Sequence, residues 1–109
     1  MIRFFLTDCK FCRADTGVFN DYYERNKGKG LQILYLTSTV DRKKVEKFAH
    51  ELEIPFPVAI DYNKKISELF RVKIEPQAII LGPDHTIIGA ILGGVTREEL
   101  DELLGKYLK

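Results

Sequence analysis

The chain has 109 residues, 45% hydrophobic and 30% charged, with 17 Lys and Arg against 16 Asp and Glu. That length suffices for one domain with its own core, and the near-neutral balance leaves no electrostatic footprint for nucleic acid or an anionic membrane surface. No apolar run approaches a bilayer span and Met1–Leu6 is too short for a signal peptide, so the chain reads as a single domain over residues 1–109, soluble and cytoplasmic, or extracytoplasmic if a signal or anchor was removed.

Ile2–Leu6, with Arg3 inside it, has the β-branched and aromatic content of a central strand. A helix is predicted from about Lys10 to Asn26, with Val18, Phe19, Tyr22 and Tyr23 on one side. Gly17 is expected to interrupt or bend it, and Gly28-Lys29-Gly30 to end it. Leu31–Leu36 is the second strand. Asp41 caps a helix to about Leu52, whose Val45, Phe48, Ala49 and Leu52 form an i, i+3, i+4, i+7 stripe. Pro55 and Pro57 exclude helix, and Val58–Ile60 is a short edge strand. Asp61 can cap a short helix over 63–70 with Ile66, Leu69 and Phe70 as its apolar side. Gln77–Leu81 and Thr86–Leu92 flank the turn residues Gly82-Pro83-Asp84-His85 and form a hairpin. Thr96 and Glu99 form a capping box for the last helix, whose buried face is Leu100, Leu103, Leu104, Tyr107 and Leu108.

The order β-α-β-α-β-α-β-β-α gives an α/β fold. It implies a mostly parallel sheet covered on both faces, with antiparallel pairing added by the closing hairpin.

The chemistry concentrates at Cys9-Lys10-Phe11-Cys12, which holds the only two cysteines. Two cysteines do not make a structural disulfide framework. At the mouth of a helix, the first-turn N–H groups and the dipole favour a thiolate, and the thiolate is the nucleophile. The i, i+3 spacing puts Cys12 one turn behind Cys9 on the same face, within disulfide reach. The pair therefore reads as a switchable dithiol with Cys9 outermost.

A CxxC at a strand-to-helix junction, a Pro opening the penultimate strand and a Gly pair before the last helix resemble the thioredoxin fold. The β-α unit from about Asp41 to Ile60 is extra relative to thioredoxin. That insertion and the run IPFPVAID…ISELFRVKIEPQAIIL resemble the TlpA/ResA-type thiol-disulfide oxidoreductases, relatives of the peroxiredoxins. The resemblance covers nearly the whole chain. It implies a thioredoxin fold with one inserted β-α unit and a mixed five-stranded sheet in the order 58–60, 31–36, 2–6, 77–81, 86–92, the last strand antiparallel, with helices on both faces.

The resemblance also implies roles. Cys9 matches the attacking cysteine and Cys12 the resolving one. Pro76 matches the cis-proline beside the dithiol, and Glu75 then flanks the substrate groove. Asp15 matches a glutamate thought to handle protons, and Gly94 falls near a small-residue position of the site. Gly17 stands where many members have a helix-kinking proline. This chain departs from the family by carrying Asp8 where Trp usually precedes the first cysteine. Where thioredoxin has a buried Asp, it has Arg3.

Other readings stay open. Asp15 also fits a solvated first-turn carboxylate, Glu75 an exposed charge, and Phe11 either a partner contact or a chance exposure. The pair Cys9/Cys12 fits half a zinc site, but His50 and His85 are the only further nitrogen ligands and lie away from it. Cu(I) on two soft thiolates, an idle cysteine pair and a peroxiredoxin-like peroxidase are the remaining alternatives. Against the peroxidase, Leu6 stands where that family carries Thr. The reading is a disulfide reductase that needs no metal or organic cofactor. Its partners are a disulfide-containing protein substrate and a thiol electron donor, and it acts as a monomer.

Overall fold

The computed structural model describes residues 1–108; Lys109, the last residue of the expected domain, lies outside them. Five strands form one sheet: β1 (Ile2–Phe5), β2 (Leu34–Thr37), β3 (Val58–Ile60), β4 (Gln77–Leu81) and β5 (Ile87–Leu92), in the order β3-β2-β1-β4-β5. Four helices connect or close it: α1 (Lys10–Asn26), α2 (Arg42–Glu51), α3 (Lys65–Leu69) and α4 (Arg97–Leu104). The order across the sheet is the one the resemblance implies.

The strand directions need a correction. β1, β2 and β3 run parallel, but the strand that reverses is β4, antiparallel to β1, and β5 then turns back against it. The cause lies in α3. Its 5 residues span only ~7.5 Å, too little to return the chain to the start of the sheet. β4 therefore sets out from the end where β3 finished, and Gln77 pairs with Phe4. This brings Pro76 to the carboxyl end of β1, close to where Cys9 opens α1.

Alternation along the strands makes two cores. Phe5, Tyr35, Ala78, Ile80 and Ile91 pack against α1, α2 and α4 through Cys12, Phe19, Phe48, Leu100 and Leu104. Phe4, Leu36, Ile79 and Val72 face the other way, with Ile66 and Phe70 packed on them from the α3 side. Three helices thus cover one face and α3 the other. Phe5 stacks on Phe48 at 4.7 Å and meets Tyr35 at 5.1 Å, so the first face is rich in aromatic contacts.

Several local expectations change. α1 runs unbroken through the exposed Gly17. β2 begins at Leu34, although Leu31 and Ile33 are buried ahead of it. The helix expected over 63–70 is a 3-10 turn followed by the short α3. Leu69 points to solvent, and Ser67 is the buried residue instead. The reason is Asp61, whose carboxylate accepts the Ile66 and Ser67 N–H groups and the Ser67 hydroxyl, each at 2.8 Å, and so draws that side of the helix inward. The capping box of Thr96 and Glu99 forms as the sequence indicates.

Candidate dithiol site

β1 carries the chain to Leu6, whose carbonyl accepts the Cys9 N–H at 3.1 Å. Cys9 then takes an extended conformation and serves as N-cap of α1, its sulfur accepting the Cys12 N–H at 3.1 Å. An N-cap sulfur replaces the usual oxygen acceptor, so the orphan N–H of the first turn is aimed at the reactive atom. Cys9 is half-buried and Cys12 fully buried, and both are free thiols. Burial, and then the hydrogen bond to Cys9, push the Cys12 thiol up to about 12, against opposing pulls that include the charge of Arg3.

One turn beyond Cys12 stands Asp15. It is not a solvated first-turn carboxylate: it is 7% exposed and lies inside the protein beneath the dithiol. The Val95 N–H donates to its Oδ2 at 2.9 Å. Gly93, with φ of 78, turns the chain out of β5 so that this N–H faces inward. Arg3 Nη2 lies 2.9 Å from Asp15 Oδ1, and Arg3 is fully buried. The contact is one of charge, because Nε, Nη1 and Nη2 of Arg3 all lack an aligned hydrogen bond among the described residues. Burial holds the Asp15 carboxyl above its ordinary value, with Arg3 and the Val95 N–H pulling against it.

Arg3 projects from the central strand towards α1, between Tyr35 on β2 and Ala78 on β4. Its guanidinium lies 4.4 Å from the Phe19 ring centroid and 5.9 Å from that of Tyr35. The Thr16 hydroxyl donates to the Cys12 carbonyl, which leaves the Tyr35 hydroxyl, 3.2 Å away, as donor to Thr16. Burial pushes the Tyr35 phenol well above its ordinary value, so it stays a neutral donor.

The structure thus brings Cys9, Cys12 and Asp15 together at the start of α1. Gly94 joins them, since a Cβ there would stand 3.9 Å from Asp15 Oδ2. The Glu75–Pro76 peptide is cis, Pro76 is buried, and its carbonyl accepts the Gly93 N–H at 2.9 Å. Glu75 is half-buried without an ion pair among the described residues. Phe11 is 67% exposed, between the two cysteines in sequence but outside the buried cluster. His50 and His85 are exposed, and among the described residues no group of three or more His, Cys, Asp or Glu side chains is arranged to hold a metal ion. Sequence reasoning registered Arg3 only as a departure and missed the Thr16–Tyr35 pair and the Val95 N–H. The available signal was a lone Arg in an apolar central strand, on the same face as Phe5.

A five-stranded mixed sheet with a cysteine-capped α1 defines a thioredoxin-like fold. The AhpC/TSA family profile matches residues 1–90, and the chain belongs to that family. It is 30% identical over 105 residues to the thiol-disulfide oxidoreductase ResA of Bacillus anthracis, covering 96% of this chain and 61% of that protein. The chain thus spans about three-fifths of the length of this curated relative. A thiol:disulfide interchange protein of the thioredoxin family from Chlorobium tepidum superposes with a TM-score of 0.87 at 16% identity, over 99% of this chain and 78% of that one. A secreted Mycobacterium tuberculosis disulfide oxidoreductase gives 0.85 at 16% identity, over 96% and 78%.

Proposed function

We propose that the protein catalyses thiol-disulfide exchange in the reductive direction through Cys9 and Cys12. The observation that carries this reading is the capped sulfur: Cys9 is the accessible thiol, it receives the Cys12 N–H, and Cys12 is buried behind it. Cys9 thiolate attacks a substrate disulfide, forming a mixed disulfide and releasing one substrate thiol. Cys12, deprotonated, attacks the Cys9 sulfur and releases the second. The two cysteines lose two electrons and the substrate disulfide gains them. A thiol donor then restores the dithiol. Asp15 is the group that takes the Cys12 proton, being the carboxyl one turn away and held above its ordinary value.

Substrate polypeptide is assigned to the surface around Pro76, Glu75 and Gly94, with the exposed Phe11 ring as an apolar contact. The substrate class is a protein disulfide.

Insulin reduction and hydrogen peroxide consumption, run side by side with dithiothreitol as donor, test the reading. Precipitation of reduced insulin that depends on Cys9, with little peroxide turnover, is the expected result. Peroxide turnover comparable to disulfide turnover would overturn it in favour of a peroxidase. Equilibration with glutathione tests direction. The potential is expected nearer the roughly −270 mV of thioredoxin than the roughly −120 mV of DsbA.

A further inference from the structure

Arg3 is a cation in the middle of the sheet with no exposure and one countercharge. Stability alone does not call for it, since well-packed apolar residues commonly replace a buried ion pair without loss. Its three nitrogens make no aligned hydrogen bond among the described residues. It contacts Asp15 on α1 at 2.9 Å, and its charge also acts on Cys12, one turn nearer the helix start. The Phe19 and Tyr35 rings lie over its guanidinium, Tyr35 as a neutral phenol, and Ala78 is its strand partner on β4. Cys9 lies outermost, with its sulfur on the Cys12 N–H.

We propose that Arg3 is a positioning residue for the resolving step, its buried guanidinium being the fixed positive charge that faces the negative charge whether it sits on Asp15 or on Cys12. This rests on the dithiol exchange proposed above. Before resolution, Asp15 is the anion and Cys12 a thiol. When the Cys12 proton moves to the Asp15 carboxylate, the thiolate becomes the anion and the pocket's net charge is unchanged. Cys12 sulfur then bonds to Cys9 sulfur, the bond from Cys9 to the substrate sulfur breaks, and the electron pair leaves on the substrate. The substrate thiolate takes its proton from solvent, to which Asp15 returns its own. Without Arg3, ionising either acid would leave a bare negative charge in an apolar pocket. The unaligned contact suits this role, because Asp15 can accept a proton without breaking a bidentate fork. The charge of Arg3 pulls both Cys12 and Asp15 down against burial, which raises each of them.

Stopped-flow reaction of the reduced protein with dithiobis(nitrobenzoate) across pH separates the two steps. The first equivalent of thionitrobenzoate reports Cys9 attack, and the second reports resolution by Cys12. Arg3→Gln is expected to raise the pH midpoint of the second phase by about one unit or more, slowing it about tenfold at neutral pH. The first phase should stay within about twofold of wild type. Arg3→Lys, which keeps the charge, should keep most of the wild-type profile. Arg3→Met combined with Asp15→Asn, read against Asp15→Asn alone, gives a second route if Arg3→Gln does not fold; its second-phase midpoint should lie above that of Asp15→Asn. An unmoved second-phase midpoint in the charge-removing variants overturns the inference, as does an Arg3→Lys midpoint displaced as far as that of Arg3→Gln. Absence of any first phase in wild type would instead remove the exchange reading itself.

Discussion

Asp15 and Asp61 are both buried, at 7% and 3% exposure, yet their carboxyls move in opposite directions. At Asp61 burial pushes upward, but two backbone N–H groups and the Ser67 hydroxyl, each at 2.8 Å, outweigh it and hold the carboxyl below its ordinary value. At Asp15 burial prevails over the charge and contact of Arg3 and the Val95 N–H. Three short donors outweigh burial at Asp61, whereas the buried cation and the Val95 N–H do not at Asp15. Asp61 is locked as an anion and shapes the fold. Asp15 is left able to take a proton, and it lies beneath a dithiol that has one to give.

The largest expected effect comes from breaking the Asp15 pocket from one side. Arg3→Met leaves Asp15 buried beside no cation and should lower unfolding free energy by about 3–5 kcal/mol in urea titration. Adding Asp15→Asn should recover most of that loss. If the double variant is no more stable than Arg3→Met, the two residues are not one electrostatic unit.

Breaking the other region should cost less. Asp61→Ala removes three hydrogen bonds and is expected to cost about 2–3 kcal/mol while insulin reduction by the folded protein is unchanged. The sign of the pH dependence follows from the lowered carboxyl. Asp61 stabilises fully above its unfolded-state value of roughly 3.9, and the contribution is lost as pH falls through the lower folded-state value. The gap between wild type and Asp61→Ala should therefore close in strong acid. Asp15, shifted the other way, works against stability as pH rises through the window between its unfolded value and its raised folded one. Asp15→Asn should remove that slope. A gap for Asp61→Ala that persists unchanged in strong acid would mean the anion is not what organises α3.

Two smaller effects sharpen the same contrast at the surface of the site. Iodoacetamide on the reduced native protein at neutral pH should label Cys9 and leave Cys12 unlabelled, since Cys12 is buried and pushed up to about 12. Labelling of Cys12 at a comparable rate, read by peptide mapping, would mean that its pocket is open. Phe11→Ala touches neither carboxylate. Stability should change by less than about 0.5 kcal/mol, and KM for insulin should rise a few-fold with kcat nearly constant.

Much of the fold is legible in the sequence because its signals are local. The edge strand at Val58–Ile60 falls where its flanking prolines and β-branched residues place it, and Thr96 and Glu99 mark the start of α4. The helix-mouth position of Cys9 is likewise a short-range fact. What the sequence hides is set by distant partners. Asp15 is exposed or buried according to Arg3 and Val95, and the Val95 N–H comes from 80 residues away. The direction of β4 depends on how short α3 is, and its buried face on Asp61 drawing in Ser67, against a periodicity that assigns Leu69 to the core. Arg3 itself interrupts an apolar strand, where burial is inferred from its neighbours and its countercharge cannot be read from spacing.

The central claim is that Cys9 attacks and Cys12 resolves, and trapping tests it most directly. Reduced Cys12→Ser protein is mixed with insulin, quenched with acid and analysed by mass spectrometry. The account predicts a long-lived covalent adduct joining an insulin cysteine to Cys9, released by dithiothreitol and absent from wild type, where Cys12 resolves it. No adduct in Cys12→Ser, or an adduct that forms equally in Cys9→Ser, would contradict the account.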